Sequence, residues 1–162
     1  MRILVTGCAG FIGYHLCKDL LINKKNSVFG IDNLNNYYDV TIKKNRLKEL
    51  KTNKMFFFNK IDIKNEKILE NFFKKNKLDI VINLAAQAGV RYSIENPKTY
   101  IQNNINGFFN VIDLSTKYKI KHFIYASTSS VYGNTKKFPI KETDNTDFPL
   151  SLYAATKKSN EV

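Results

Sequence analysis

The chain has 162 residues, 43% of them apolar, which is enough for one domain with a real core. Its 26 basic and 14 acidic residues give a net charge of +12, a balance that invites an anionic partner such as nucleic acid. Against nucleic acid, all the basic residues except Arg2, Arg46 and Arg91 are lysines, scattered among asparagines, with no reading motif and no aromatic–basic interleaving.

Cys8 and Cys17 have neither metal nor redox spacing, so they read as reduced thiols and no metal is expected. The N-terminal apolar run is too short for a signal peptide. No apolar stretch approaches the ~18 residues of a membrane span. The expected protein is soluble and cytoplasmic, with no membrane partner.

Residues 2–6 form a short, nearly all-apolar run, the pattern of a buried parallel strand. Gly7, Gly10 and Gly13 follow, and a helical pattern begins with Phe11, Ile12, His15, Leu16 and Leu20. Strand, glycine turn and helix in that order suit a diphosphate held on backbone N–H groups at the helix start. A second strand, 27–31, ends at Asp32. That is the distance at which an acidic side chain binds the ribose 2′-OH of NAD. No Arg follows directly to accept a 2′-phosphate, and Lys43 and Lys44 lie too far along to assign, so NAD is favoured over NADP.

A polar loop, 33–39, leads to a Lys-rich helix over 40–53 whose inner face is expected to be Ile42, Leu47 and Leu50. A third strand, 55–58, precedes a helix over 65–76 carrying Ile68, Leu69, Phe72 and Phe73. The fourth strand, 80–84, is the most apolar, and small residues follow it through Gly89. A long helix is expected from near Pro97 to about Lys117, then a fifth strand over 122–126. A hydroxyl cluster, Ser127 to Ser130, sits at its end, and a last helix starts near Ser151. Strands alternating with helices predict an α/β doubly wound parallel sheet of Rossmann type, with ligands outside the carboxyl ends of the strands.

Tyr153 and Lys157 are four residues apart in that last helix, hence on one face. A phenol is a poor base near neutral pH, because its ordinary pKa is roughly 10. An ammonium about 4 Å away favours the phenolate by on the order of 4 kcal/mol at an effective dielectric near 20. The pair can therefore act as a general base.

Together, Thr6–Gly13, Asp32–Asn35, Asp62-Ile63, Leu84–Gln87, Ser129–Gly133 and Tyr153–Lys157 resemble the extended short-chain dehydrogenase/reductases, the NAD-dependent sugar-nucleotide epimerases and dehydratases. The stretches 32–39, 84–93 and 151–158 are most similar to UDP-glucuronate 4-epimerases. The resemblance implies that Gly7, Gly10, Phe11, Ile12 and Gly13 hold the NAD diphosphate. It implies that Asp32 and Asn33 hold the adenosine ribose, that Asp62 and Ile63 flank the adenine, and that Leu84, Ala85, Ala86, Gln87 and Asn103 line the cofactor cleft.

By the same resemblance Thr128, Tyr153 and Lys157 are catalytic, Tyr153 as base and Lys157 on the nicotinamide ribose. The implied reaction oxidises a UDP-sugar at C4 to a transient 4-keto sugar and returns the hydride to the other face, converting UDP-glucuronate to UDP-galacturonate. Arg91, Ser129 or Ser130 would meet the uronate carboxylate.

Family members are longer. This chain is expected to lack the small substrate domain and, if truncated there, to bind NAD weakly with little or no turnover; the full-length form is expected to dimerise. UDP-glucose 4-epimerisation, uronate decarboxylation and a non-catalytic NAD-binding role stay open. A 4,6-dehydratase is disfavoured, since Ser129-Ser130 stand where that class has Asp-Glu.

Overall fold

The computed structural model describes residues Met1–Val162. It divides into two compact units, Met1–Ala85 with Phe109–Tyr125, and Ala86–Phe108 with Ala126–Val162.

The first unit is built on five parallel strands: β1 (Arg2–Thr6), β2 (Ser27–Asp32), β3 (Phe56–Lys60), β4 (Ile80–Asn83) and β5 (His122–Tyr125). Their order across the sheet is β3-β2-β1-β4-β5, every pairing parallel. The sequence reverses direction between β1 and β4, so the strand ends at Thr6 and Asn83 mark the switch point of the sheet. Successive side chains of a strand face opposite sides. Ile3 and Val5 therefore join one core, with Tyr14, Cys17 and Leu21 of α1 (Phe11–Ile22) and Leu47 and Leu50 of α2 (Val40–Leu50). Leu4 joins the other, with Leu69, Phe72 and Phe73 of α3 (Glu66–Asn76) and Val111 and Leu114 of the helix before β5. Both faces are covered, which is why β1 and β4 read as unbroken apolar runs.

The second unit carries α4 (Tyr92–Glu95), α5 (Pro97–Tyr100), a π-helical turn (Ile101–Gly107), a 3-10 turn (Ser129–Tyr132) and α7 (Leu152–Glu161). The helix before β5 is α6 (Phe108–Lys117). The long helix expected over 97–117 is thus present but widens in its middle. Pro97 opens it at the position where a missing N–H costs nothing. Tyr100, wholly buried, donates its hydroxyl to the carbonyls of Ala88 and Gly89.

Two helices turn a different face inward than their sequences suggest. In α1 the buried residues are Gly13, Tyr14, Cys17 and Leu21, while Phe11 and Ile12 stand 67% and 66% exposed. In α2 it is Lys43, not Ile42, that lies with Leu47 and Leu50; Ile42 is exposed. Gly13 and Cys17 on α1 and a satisfied lysine on α2 lie on the inner faces, and apolar periodicity alone does not register them. Cys8 and Cys17 are free thiols, and burial pushes both upward, Cys17 to about 12, so neither is a ready nucleophile.

The turn between β1 and α1 depends on missing side chains. Gly7 has φ +69, and a Cβ there would lie 3.0 Å from the Ala85 backbone nitrogen. A Cβ on Gly13 would overlap the carbonyl oxygen of Gly7. Alanine at 13 gains about 0.5–1 kcal/mol of helix propensity. Its overlap is with backbone and costs more, about 1–3 kcal/mol. Gly13→Ala is therefore expected to lower the urea midpoint of unfolding with the slope unchanged, and an equal or higher midpoint would refute the close packing.

Candidate functional site

At the switch point the Thr6 hydroxyl donates to Asn83 Oδ1 (2.6 Å) and accepts the N–H groups of Leu84 (3.1 Å) and Ala85 (2.9 Å). Thr6 and Asn83 are cross-strand partners, so the contact follows from register. It fixes Leu84 and Ala85 beside Gly7, three of the residues expected at the cofactor.

The start of α1 is prepared for an anion. Gly10 occupies its N-cap and supplies no side-chain hydrogen bond, and no acidic residue stands in the first turn. By contrast Asp39 caps α2, Asn65 caps α3 and Ser151 caps α7, each with its own side chain. Where an N-cap side chain is missing, first-turn N–H groups and the positive end of the helix dipole are left for a ligand. Gly7, Gly10 and Gly13 keep backbone surface bare here, and exposed Phe11 and Ile12 flank it. A dinucleotide diphosphate fits this donor set.

Asp32 ends β2 and is nearly buried. Its carboxylate accepts the Ala9 N–H (3.2 Å) and the Leu34 N–H (2.8 Å). Leu34 takes φ +55, a conformation that costs a side-chain-bearing residue about 1 kcal/mol or more. The bond to Asp32 holds it there. Each carboxylate oxygen keeps a second acceptor position for a ribose hydroxyl. The Asn33 side-chain amide donates to Asp62 Oδ2 (3.1 Å), which links the two expected adenosine residues, and Ile63 is buried with its carbonyl accepting from Asn110 (2.9 Å).

Lys43, unassigned from sequence, belongs to this corner. It is 5% exposed; its ammonium donates to Asn35 O (3.1 Å) and Oδ1 (2.8 Å), lies 3.9 Å from Asp32 and sits 4.7 Å from the Tyr38 ring centre. Burial pushes Lys43 downward, and the Asp32 carboxylate pushes it back up. Lys44 is exposed.

In the second unit, Thr128 caps the 3-10 turn after β5. Its hydroxyl accepts the Ser130 N–H (3.2 Å) and donates to the Ser130 hydroxyl (3.3 Å). Tyr153 and Lys157 lie one turn apart on α7, and the Tyr153 ring packs edge-on to Tyr100 at 6.1 Å. Lys157 is 5% exposed and donates to the Ala126 carbonyl (2.8 Å).

Asn103 turns its amide back to Thr99 O (2.8 Å). The neighbouring Asn104 is the buried one. It accepts the Gln87 N–H (2.7 Å) and donates to Gln87 O (3.0 Å) and Thr156 Oγ1 (3.2 Å). Ala86 opens this unit, beside buried Gln87. Asn104 escaped the sequence reading because two adjacent asparagines carry the same signal, and only the π-helical turn decides which one points inward.

Burial moves the Lys157 ammonium down to about 8 from an ordinary value of 10.5. Between these values the unfolded chain holds the proton and the folded chain does not, so stability rises with pH in that window. The penalty at neutral pH is about 3 kcal/mol at most. Unfolding free energies measured from pH 7 to 11 should show wild type gaining on Lys157→Met between about pH 8 and 10.5; parallel curves would contradict the burial.

A family model described as GDP-mannose 4,6 dehydratase matches residues 4–162. The chain is 53% identical to Protein CapI of Staphylococcus aureus, over 100% of this chain and 48% of that protein. It is 46% identical to the UDP-glucuronate 4-epimerase of Thermodesulfobacterium geofontis, over 98% of this chain and 49% of that one. Among solved structures, UDP-glucuronic acid 4-epimerase from Bacillus cereus, in complex with UDP-glucuronic acid and NAD, superposes with a TM-score of 0.91 at 40% identity. That match covers 99% of this chain and 50% of that one. The chain spans about half the length of the curated relatives it matches. From the glycine turn to α7, the motifs and the parallel sheet coincide with one family: the chain belongs to the GDP-mannose 4,6 dehydratase family of NAD-dependent epimerases and dehydratases.

Proposed function

We propose that this chain binds NAD and carries the catalytic base of a nucleotide-sugar 4-epimerase acting on UDP-glucuronate. The observation that carries the reading is the placement of Tyr153 and buried Lys157 one turn apart on α7, in a chain that also has an uncapped, glycine-lined helix start. When bound, NAD supplies reversible two-electron redox at the sugar. The chain's own residues bind, orient and move the proton.

Gly7, Gly10 and Gly13 leave room for the diphosphate against α1, and Asp32 accepts from the ribose diol, with Asn33 beside it. Asp62 and Ile63 take the adenine side. Leu84 and Ala85 in the first unit, and Ala86, Gln87 and Asn103 in the second, are assigned to the cofactor by the family's motifs. Tyr153 removes the proton of the 4-hydroxyl and gives it back to the 4-keto sugar. Thr128 presents its hydroxyl to the reacting oxygen, a fixed dipole where charge develops. Lys157, one turn along α7, would hold the nicotinamide ribose.

UDP-glucuronate is preferred as substrate because the curated relative from Thermodesulfobacterium geofontis and the solved one from Bacillus cereus carry that activity in their names. A second reading, UDP-glucose, is supported by a Thermotoga maritima UDP-glucose 4-epimerase solved with UDP-glucose, at 37% identity and a TM-score of 0.83. Arg91 is exposed at the start of α4 and supplies a positive charge for a uronate carboxylate.

The test is titration of the protein with NAD+, then with each UDP-sugar, following reduced-nicotinamide absorbance and epimer formation by chromatography. Tyr153→Phe should abolish epimer formation, a loss of at least about 100-fold for a missing acid–base group, with NAD+ affinity within a few-fold of wild type. Turnover that survives in Tyr153→Phe would defeat the assignment. Arg91→Ala should weaken UDP-glucuronate a few-fold, up to about fivefold, and leave UDP-glucose unchanged, as expected for one exposed charge pair; equal effects on both sugars would remove Arg91 from carboxylate recognition.

A further inference from the structure

Within the hydroxyl cluster Ser127–Ser130, the reaction above uses Thr128 and leaves Ser127 without a part. The Ser127 hydroxyl donates to Glu161 Oε1. The other carboxylate oxygen of Glu161 takes the Lys158 ammonium (3.4 Å), and Lys158 also donates to the Thr146 hydroxyl (2.6 Å). Both oxygens are therefore held, and the Glu161 side chain is only 27% exposed. A carboxylate with a free choice of water would not be fixed in this way.

Tyr153, Lys157 and Glu161 follow one another at four-residue intervals, hence along one stripe of α7. Lys157 takes the carbonyl of Ala126, and Glu161 takes the hydroxyl of Ser127. The helix thus grips two successive residues of the chain, and Thr128 is the next. The hydrogen bonds of Thr128 itself stay within its own turn, to Ser130 and Val131. Its distance from Tyr153 is set through the two residues before it. Of the two grips, Lys157 has a second task at the nicotinamide ribose, whereas the Ser127–Glu161 bond has none.

We propose that Glu161, acting through Ser127, is a positioning residue for the 4-epimerase reaction: it fixes where the Thr128 hydroxyl stands relative to Tyr153. The inference rests on the roles given to Thr128 and Tyr153 above and deepens them. Both hydroxyls have to meet the same oxygen of the sugar, so their separation matters more than the placement of either alone. A misplacement of about 1 Å in such a pair can cost on the order of 100-fold in rate. The Ser127–Glu161 bond is partly exposed, and its loss loosens the segment rather than displacing it. Glu161 touches neither sugar nor cofactor, so binding is left as it was.

The experiment compares wild type with Ser127→Ala, Glu161→Ala, Glu161→Gln and Ser127→Ala/Glu161→Ala, each checked for an intact thermal transition. Two readouts are taken: steady-state epimerisation of UDP-glucuronate, and methyl NMR spectra of threonine-labelled protein. The Thr128 methyl is assigned by its loss in Thr128→Ser, and Thr41, in the other unit, is the control. Each alanine variant should lower kcat about tenfold, with KM and NAD+ affinity within about twofold of wild type. The double variant should be no slower than either single one, because both remove the same contact. Glu161→Gln keeps an acceptor for Ser127 and should keep kcat within about twofold. The Thr128 methyl should move in the three variants that lack the contact and stay in Glu161→Gln, with Thr41 fixed throughout. Losses that fall in KM or NAD+ affinity, that add in the double variant, or that are as large in Glu161→Gln would overturn the proposal, and so would an unmoved Thr128 methyl. Wild type that binds NAD+ and forms no epimer would sink the epimerase reading instead, while the methyl spectra still decide whether Glu161 places Thr128.

Discussion

One hydroxyl ties the carboxyl ends of the two central strands. Thr6 is fully buried and uses its oxygen three times, on Asn83, Leu84 and Ala85. In a parallel sheet the strand ends at the switch point diverge, and backbone N–H groups there have no ladder partner. Thr6 supplies one. That lets the chain after β4 lie against Gly7, so close that a Cβ there would stand 3.0 Å from the Ala85 nitrogen. The glycine turn, the helix start after it and the departure of the chain at Ala85 all depend on this contact.

Charge has two roles in this molecule, and burial separates them. The lysines at the surface pair loosely with carboxylates, as Lys117 does with Glu70 and Lys121 with Asp79. Such pairs contribute little, because water screens them and long side chains lose entropy on pairing. Lys43 and Lys157 are the buried cations, and each costs stability that surface lysines do not. Lys43 has two oxygens of Asn35 and the nearby Asp32; Lys157 has the Ala126 carbonyl. A net charge of +12 says nothing of this; the position of two lysines among 26 basic residues does.

The sheet was legible because parallel strands buried on both faces leave unbroken apolar runs, and Gly7 and Asp32 punctuate them where the turns must be. Strand ends shifted by a residue or two: β3 extends to Lys60, since its last residues pair with Ile31 and Asp32 whatever their polarity. Helix faces were less legible. The inner side of α1 is marked by Gly13 and Cys17, small residues that permit close packing but add little to an apolar pattern. On α2 the sequence offers Ile42 as the inward residue and the fold selects Lys43, because its ammonium finds acceptors on the loop before it. That Tyr153 and Lys157 share one face of a helix was readable from their spacing, as the helix is regular there. What spacing does not give is the partner each one finds, Tyr100 for the ring and Ala126 for the ammonium.

The position of α7 within the second unit comes down to one amide. Asn104 accepts from and donates to the backbone of Gln87, as a paired strand would, and its second N–H reaches Thr156. The Thr156 hydroxyl donates in turn to the Tyr153 carbonyl, three residues back along α7. Of the side chains of this size, only a carboxamide offers an acceptor and two donors together. A carboxylate would face the Gln87 carbonyl with no proton to give, and leucine would leave the Gln87 N–H and C=O buried without partners. A regular α-helix through 101–107 would also rotate position 104 away from where the π-helical turn holds it, so the irregularity and the amide require each other. The helix that carries Tyr153 and Lys157 is thereby held to the segment that opens this unit, through a network in which every donor of Asn104 is used.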